Sequence, residues 1–322
     1  MKWFNGIKVG ATILLAMCSS VALAQGYPSK PVRIVVPFAA GGGGDMVIRA
    51  LAARLSDQLK QPFIVENRVG AGGNIGSELV ARSAPDGYTL LQGGDALTIS
   101  KALYANLGYD PLKDLAPVVG ISTGAHVLVA HPSFEANNLR ELIALAKANP
   151  GKISYGTPGV GTGQDLLGAM FRLAAGIDIV AIPYKGGGAL ILDVLGGHTK
   201  VGVIGFPPVI AHLKSGKLKA LAVTSAKRSP LLPNVESIAE VVPGLQSVQW
   251  IGLNAPAGTP DDVINKLAVE TRRALDHPQM RELFASIGLE PFGLGPGELA
   301  KFMLDEHQAF AKVIKAAGIK AE

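Results

Sequence analysis

The chain has 322 residues, a formal net charge of +5 and one cysteine, Cys18. That length exceeds what one hydrophobic core comfortably serves, so two lobes are expected. The mild positive balance contains no run of Lys or Arg, and the few aromatics are not interleaved with basic residues, which argues against a nucleic-acid-binding surface.

Residues 1–24 read as a secretory signal peptide. Lys2 and Lys8 make a basic start, Val9 to Met17 is a short apolar core, and Ala22-Leu23-Ala24 is a small-x-small cleavage site. The apolar run is too short to span a bilayer. Leu15-Ala16-Met17-Cys18 resembles a lipoprotein signal, but Met17 stands where a small residue is expected. A soluble exported chain beginning near Gln25 is therefore expected. Loss of the leader removes Cys18, so the mature chain has neither disulfide nor thiolate chemistry. Lys2 and Lys8 leave with it, and the charge falls from +5 to +3.

From there strands alternate with helices. Strands are expected at 32–36, 63–66, 88–92, 127–130, 153–156, 178–182, 200–204, 218–224 and 249–254. Helices are expected at 45–60, 74–82, 139–149, 164–175, 188–195, 207–215, 261–275, 278–286 and 297–316. Such alternation implies parallel sheets covered on both faces. Thr259-Pro260 predicts an N-cap and a first-turn proline for the helix at 261. No long linker divides the chain, so two crossing segments are expected, near 119–126 and 244–251. Residues 25–122 with 248–322 then form a discontinuous first lobe, and 123–247 the second.

Four glycine-rich turns follow predicted strands: Gly41 to Gly44, Gly93-Gly94-Asp95, Gly159 to Gly163 and Gly186 to Gly188. Val32 to Val36 runs into the first, and Ile48, Leu51, Leu55 and Leu59 mark the apolar face of the helix it opens. A helix N-terminus exposes unpaired N–H groups and partial positive charge, which suits a carboxylate or phosphate. Glycines also serve simply to make tight connections. Their recurrence at strand ends, where open α/β sheets bind ligands, favours the ligand reading. Thr157 to Gln164 is the second strong candidate: Thr162 suits an N-cap or a ligand contact. Lys185, after Tyr184 at a strand end, either pairs with an anion or is a solvated lysine.

Enzyme motifs are poor. Gly120-Ile121-Ser122-Thr123-Gly124 matches the hydrolase elbow pattern, but a strand from His126 to Ala130 follows where a helix is required. The six histidines lack metal-ligand spacing. No dinucleotide or phosphate-loop fingerprint is present.

The sequence resembles the solute-binding receptors of tripartite tricarboxylate transporters, the Bug family. Tyr27-Pro28-Ser29-Lys30-Pro31 followed by Ile34 to Phe38 and the glycine run matches the family opening. Val65-Glu66-Asn67-Arg68 with Gly70 to Gly76 is the most specific motif. Ala84 to Leu90, Tyr109-Asp110-Pro111, Pro183 to Gly186, Leu218 to Arg228 and Ala255 to Pro260 also match. The resemblance implies a two-lobed periplasmic binding protein of type II-like α/β architecture, each lobe a mainly parallel sheet flanked by helices. It implies a small carboxylated organic solute in the inter-lobe cleft, a membrane permease of one large and one small subunit, a monomer, and no catalysis, cofactor or metal. Carried over by position, Phe38, Ala39, Gly42, Gly43, Gly44 and Asp45 in the first lobe and Gly161, Thr162, Gly163 and Gln164 in the second grip a carboxylate. The turns themselves add Gly94, Asp95, Thr157, Tyr184 and Lys185.

The chain departs from the family pattern at several places. Relatives commonly carry Ser-Gln-His at Gly163-Gln164-Asp165, Asp at Lys200 and Ile204, Thr at Gly44, and a Thr/Ser pair at Gly94-Asp95. Ile204 argues against a cationic amino group on the solute. Asp95 and Asp165 either oppose a dicarboxylate or accept from solute hydroxyls. A side chain at Gly43 is expected to clash with the solute and to block a positive φ. A ligand sensor for a signalling partner and a serine hydrolase using Ser122 are the alternative functions.

Overall fold

The computed structural model describes residues 26–104, 106–317 and 319; the signal-peptide reading of residues 1–24 lies outside them. In chain order the first elements are β1 (Val32–Val36), α1 (Gly43–Leu59), β2 (Phe63–Asn67), α2 (Asn74–Ala81), β3 (Thr89–Gly94), α3 (Asp95–Leu103) and β4 (Leu115–Ala130). They are followed by α4 (Leu139–Ala148), β5 (Ser154–Thr157), α5 (Gly163–Ala175), β6 (Val180–Pro183), α6 (Gly187–Leu195), β7 (Val201–Gly205), α7 (Ile210–Lys214) and β8 (Lys219–Val223). The rest are α8 (Ile238–Val241), β9 (Val248–Pro256), α9 (Asp261–Leu275), α10 (Pro278–Ile287), β10 (Glu290–Pro291) and α11 (Pro296–Ala317).

β1 is apolar and buried along nearly its whole length, as befits a strand covered on both faces. It pairs in parallel with β2 and β3. β3 then meets β9 antiparallel, and β9 meets the first part of β4 antiparallel. In the second sheet β5 pairs in parallel with β6 and β7, while β7 and β8 run antiparallel to the far end of β4. The parallel expectation thus describes β1–β3 and β5–β7. The antiparallel additions are the strands that carry the chain between the sheets. Each sheet has its own core: Ile34, Leu51, Ile121, Leu253 and Leu267 in the first, and Leu128, Leu142, Phe171, Val203 and Leu221 in the second.

Local signals account for several helix ends. Asn138 caps α4 by accepting from Glu141 N–H, and Ser237 with Glu240 forms a capping box on α8. His277 and Pro278 open α10, and Gly288 closes it at φ 73°. Thr259 does not cap α9 as expected. Its hydroxyl donates instead to the Pro256 carbonyl at 2.8 Å, and Pro260 itself is the residue before the helix. α3 and the first part of β4 were not expected. α3 lacks a long apolar face, and β4 is interrupted by Pro117 and Gly120, where the register shifts. Ser122 lies inside β4, paired with Ile251 and Pro291 and fully buried, so the strand–turn–helix geometry of a nucleophile elbow is absent there.

The chain crosses between sheets at two places. β4 pairs with β9 through Ala125 and with β7 from His126. The return runs from Thr224 to β9. Thr224 joins the two: its N–H donates to the His126 carbonyl at 3.0 Å, and its hydroxyl accepts from His126 N–H at 2.8 Å and donates to Ser247 O at 2.6 Å. Thr224→Val keeps the shape and strands two backbone groups, the buried His126 N–H and the half-buried Ser247 carbonyl. We expect a loss of about 1–3 kcal/mol in urea unfolding.

The lobes also touch at their loops. Ala39 N–H donates to the Lys185 carbonyl at 3.0 Å. A Cβ at Gly186 would lie 2.7 Å from Ala39 N, and one at Gly188 would collide with the Ala40 carbonyl. A Cβ at Gly72 would likewise collide with the Val160 carbonyl. Gly188 has an ordinary helical backbone, so Gly188→Ala should leave its own lobe intact, since alanine favours helix. It should hold the loops apart. Small-angle scattering is expected to show a larger radius of gyration than the wild type with an unchanged circular dichroism spectrum.

Candidate functional site

Four helices, α1, α3, α5 and α6, begin where the sheets end, and their first turns face one cleft. α1 starts after Gly42, which supplies no side-chain cap, so the N–H groups of its first turn are not served from within the helix entrance. The sharp entry falls on Gly41, at φ 80°. Asp45, at the third helical position, folds back to accept from Gly41 N–H at 3.0 Å. It also accepts from Arg49 Nε at 3.0 Å and Asn67 Nδ2 at 2.9 Å, while Asn67 donates to the Phe38 carbonyl. Burial pushes the Asp45 carboxyl upward, but the Arg49, Gly41 and Asn67 hydrogen bonds together hold it below its ordinary value. Its charge is matched locally by Arg49.

The second lobe repeats the device. Thr162 caps α5 by accepting from Asp165 N–H at 3.3 Å and donates to the Gly159 carbonyl at 2.7 Å. Asp165, again at the third helical position, accepts from Gly161 N–H at 3.1 Å. The third start, α3, follows Gly94 and opens with Asp95.

These starts enclose a cavity of about 70 Å³. It is lined by Phe38, Ala39, Gly42, Gly43, Gly44, Asp45, Gln92, Gly94, Asp95, Ala96, Pro158, Thr162, Gln164, Gly187, Ile204, Gly205, Gln249, Trp250 and Ile251. No Lys or Arg is among these lining residues. Positive potential in the cavity therefore comes from helix N-termini and backbone N–H groups.

Several residues expected at the site do not line this cavity, and Gly43 and Ile204 do. Thr157 is fully buried behind the loop, with its hydroxyl directed to Asp165 at 3.4 Å. Gly161 gives its N–H to Asp165 and adopts φ 78°, so it shapes the turn. Gly163 is covered by Asp95 Oδ2, into which any Cβ would run. Tyr184 points its hydroxyl at Thr199 (2.6 Å) and Asp193, away from the lining. Lys185 is exposed and meets the other lobe only through its carbonyl. Gly43 lines the cavity but has no positive φ, and its Cβ would meet Pro207 at an ordinary 3.4 Å. Of the two family positions that depart at Lys200 and Ile204, only Ile204 lines the cavity; Lys200 donates to Ser133 at 3.0 Å.

Gln92, Gln249 and Trp250 were missed because strand interiors carry no glycine signal. A glutamine inside the apolar run of β3 is the trace that marks Gln92. Gln92 Oε1, Gln249 Nε2 and Asp95 Oδ2 are buried without a hydrogen-bond partner, so the lining presents unserved polar atoms beside the helix starts. Burial, then the Glu306 carboxylate, push the Asp95 carboxyl up to about 8, although N–H groups of Ala96 and Asp95 oppose this. Burial and Glu306 thus favour the neutral form of Asp95, against the negative charge expected of it. Burial also keeps His126 neutral by lowering it to about 3, with both ring nitrogens unpartnered.

Comparison with known proteins agrees with this architecture. The model of the tripartite tricarboxylate transporter family receptor matches residues 47–319. Protein BugT of Bordetella pertussis is 37% identical over 315 residues, covering 97% of each chain. An R. palustris protein solved with adipate superposes with a TM-score of 0.88 at 33% identity, over 91% of this chain and 99% of that one. MatC from Rhodopseudomonas palustris, solved with bound malate, gives 0.85 at 30% identity, over 89% and 100%. With the two-sheet fold and its glycine-lined cleft, these matches place the chain among the receptors of the tripartite tricarboxylate transporter family, to which it belongs.

Proposed function

We propose that this receptor captures a small carboxylated organic solute between its lobes, as a monomer in the periplasm after cleavage at Ala24, and delivers it to a permease of one large and one small subunit. The observation that carries the reading is the cavity itself: helix starts of α1, α3, α5 and α6 converge on it, with no cationic side chain in its lining. That arrangement holds an anion through backbone donors. Each charge-assisted hydrogen bond is worth about 1.5–3 kcal/mol, so a few of them approach the roughly 8 kcal/mol of micromolar binding. The cavity, about 70 Å³, is small, which favours a compact solute. The similar proteins solved with adipate and malate bind acids of this chemical class. Binding without catalysis is the reading that Ser122 supports, since it lies in mid-strand, away from this lining.

A panel of mono-, di- and tricarboxylates tests this by thermal shift and calorimetry. A true solute at a hundredfold excess over Kd is expected to stabilise the fold by about 2.7 kcal/mol. Gly43→Val should drive its branched methyls into Pro207 of the facing loop, keep the lobes from closing on the solute and abolish binding, while each lobe keeps its circular dichroism spectrum. Lys185→Ala should bind within about fivefold of the wild type, because an exposed ion pair contributes at most about 1 kcal/mol. Normal binding by Gly43→Val together with lost binding by Lys185→Ala would show that a salt bridge, and not the helix starts, holds the solute.

A further inference from the structure

Asp95 is the acidic group in the lining whose free oxygen has no role in building a loop. Asp45 is saturated by Gly41, Arg49 and Asn67. Asp95 is 8% exposed and lines the cavity, and its Oδ2 has no donor. That oxygen lies over Gly163, the first residue of α5 in the opposite lobe, where the lack of a side chain makes the room for it.

Among the described residues, the surroundings of Asp95 supply no cationic side chain, only the helix starts of α3 and α5. From α11 comes Glu306, whose Oε2 accepts from Thr98 Oγ1 at 2.6 Å and Trp250 Nε1 at 2.8 Å. His307 of the same helix has its Nδ1 3.2 Å from the Thr98 carbonyl. From β4 comes His126, whose ring reaches the same Gly163 position and is neutral. On α5, Asp165 receives Gly161 N–H. On α3 itself, Lys101 is committed to Asp110 at 2.7 Å. A bare carboxylate here would sit desolvated beside a second acid and would repel an anionic solute.

We propose that Asp95 determines solute specificity: its free carboxyl oxygen carries a proton drawn from solvent and donates it in a hydrogen bond to an oxygen of the solute, so capture requires that proton. This rests on reading the cleft as a carboxylate site. The glycine loop of α1 holds one end of the solute and Asp95 reads an acceptor oxygen at the other. Asp95 ionises at about 8. A solute that needs the neutral acid therefore binds with constant affinity below that pH and loses about tenfold per unit above it. A bound anion extends the window upward, because a nearby negative charge disfavours ionisation.

The test uses L-malate as the probe, measured by calorimetry from about pH 6 to about pH 10, where malate is fully ionised and only the protein titrates. The wild type should weaken progressively above about pH 8, and Asp95→Asn should show no such slope. Glu306→Gln removes the neighbouring charge and should move the onset to lower pH. A flat wild-type profile, or an unchanged slope in Asp95→Asn, overturns the proposal. Absence of malate binding at every pH counts against the carboxylate reading instead, and a ligand-free measurement then decides the state of Asp95. Its folded value lies above the ordinary 3.8, so its stabilising contribution is full below 3.8 and lost as pH rises to about 8. The unfolding constant of the wild type relative to Asp95→Asn should therefore rise about tenfold per unit between about pH 5 and about pH 8, then level off. Parallel curves would show that Asp95 holds no proton and overturn the proposal.

Discussion

The constraint on which this structure depends is that the first turn of a helix cannot satisfy its own N–H groups. Any βα unit therefore places bare donors just beyond a strand end. Here two sheets set such ends against each other, so α1 and α3 from one sheet and α5 and α6 from the other contribute to one small volume. Binding then needs no lysine or arginine in the lining. It needs the sheets to hold the helix starts at a fixed spacing, which the apolar faces of β1, β3, β5 and β7 achieve through their own cores. The energetics of the fold and of the site are thus linked: the buried valines and isoleucines position backbone dipoles.

The glycines at these turns do different physical work. Gly41 and Gly161 adopt the left-handed backbone that a tight entry requires. Gly186, Gly188 and Gly72 are small because the other lobe's backbone passes where a Cβ would stand. Gly163 leaves room for the Asp95 carboxyl. Gly42, Gly43 and Gly44 line the cavity. A single sequence signal, a run of glycines after a strand, therefore stands for turning, inter-lobe contact and ligand access alike. Only the neighbours of each missing Cβ separate these roles.

Acids near the cavity are likewise sorted by their partners. Asp45 and Asp165 occupy equivalent helical positions, and each turns back to a glycine N–H outside its helix. In the first lobe Arg49 completes the arrangement and favours the ionised form. Asp95 and Glu306 are buried together, and burial raises Glu306 to about 7. The crossing between lobes is polar for a related reason. At the point where β4 leaves one sheet for the other, Thr224 supplies hydrogen bonds that neither ladder provides.

The sequence by itself determined the alternation of strands and helices, because apolar period and turn residues are local properties. β1, α4, α5, α9 and α10 appear within a residue or two of where the pattern places them. It also marked the first glycine loop and the Thr162 cap, whose signals lie within a few residues. It did not reveal the length of β4, whose extension depends on pairing with β9, more than a hundred residues away. Nor did it reveal Gln92, Gln249 and Trp250, which reach the cavity from strand interiors only because two sheets converge there. The tertiary structure alone decided that Lys185 and Tyr184 stand outside the lining and that Asp95 is buried within it beside Glu306. The reason is physical: exposure, hydrogen-bond partners and ionisation depend on what packs against a side chain from distant segments, and no local pattern encodes that.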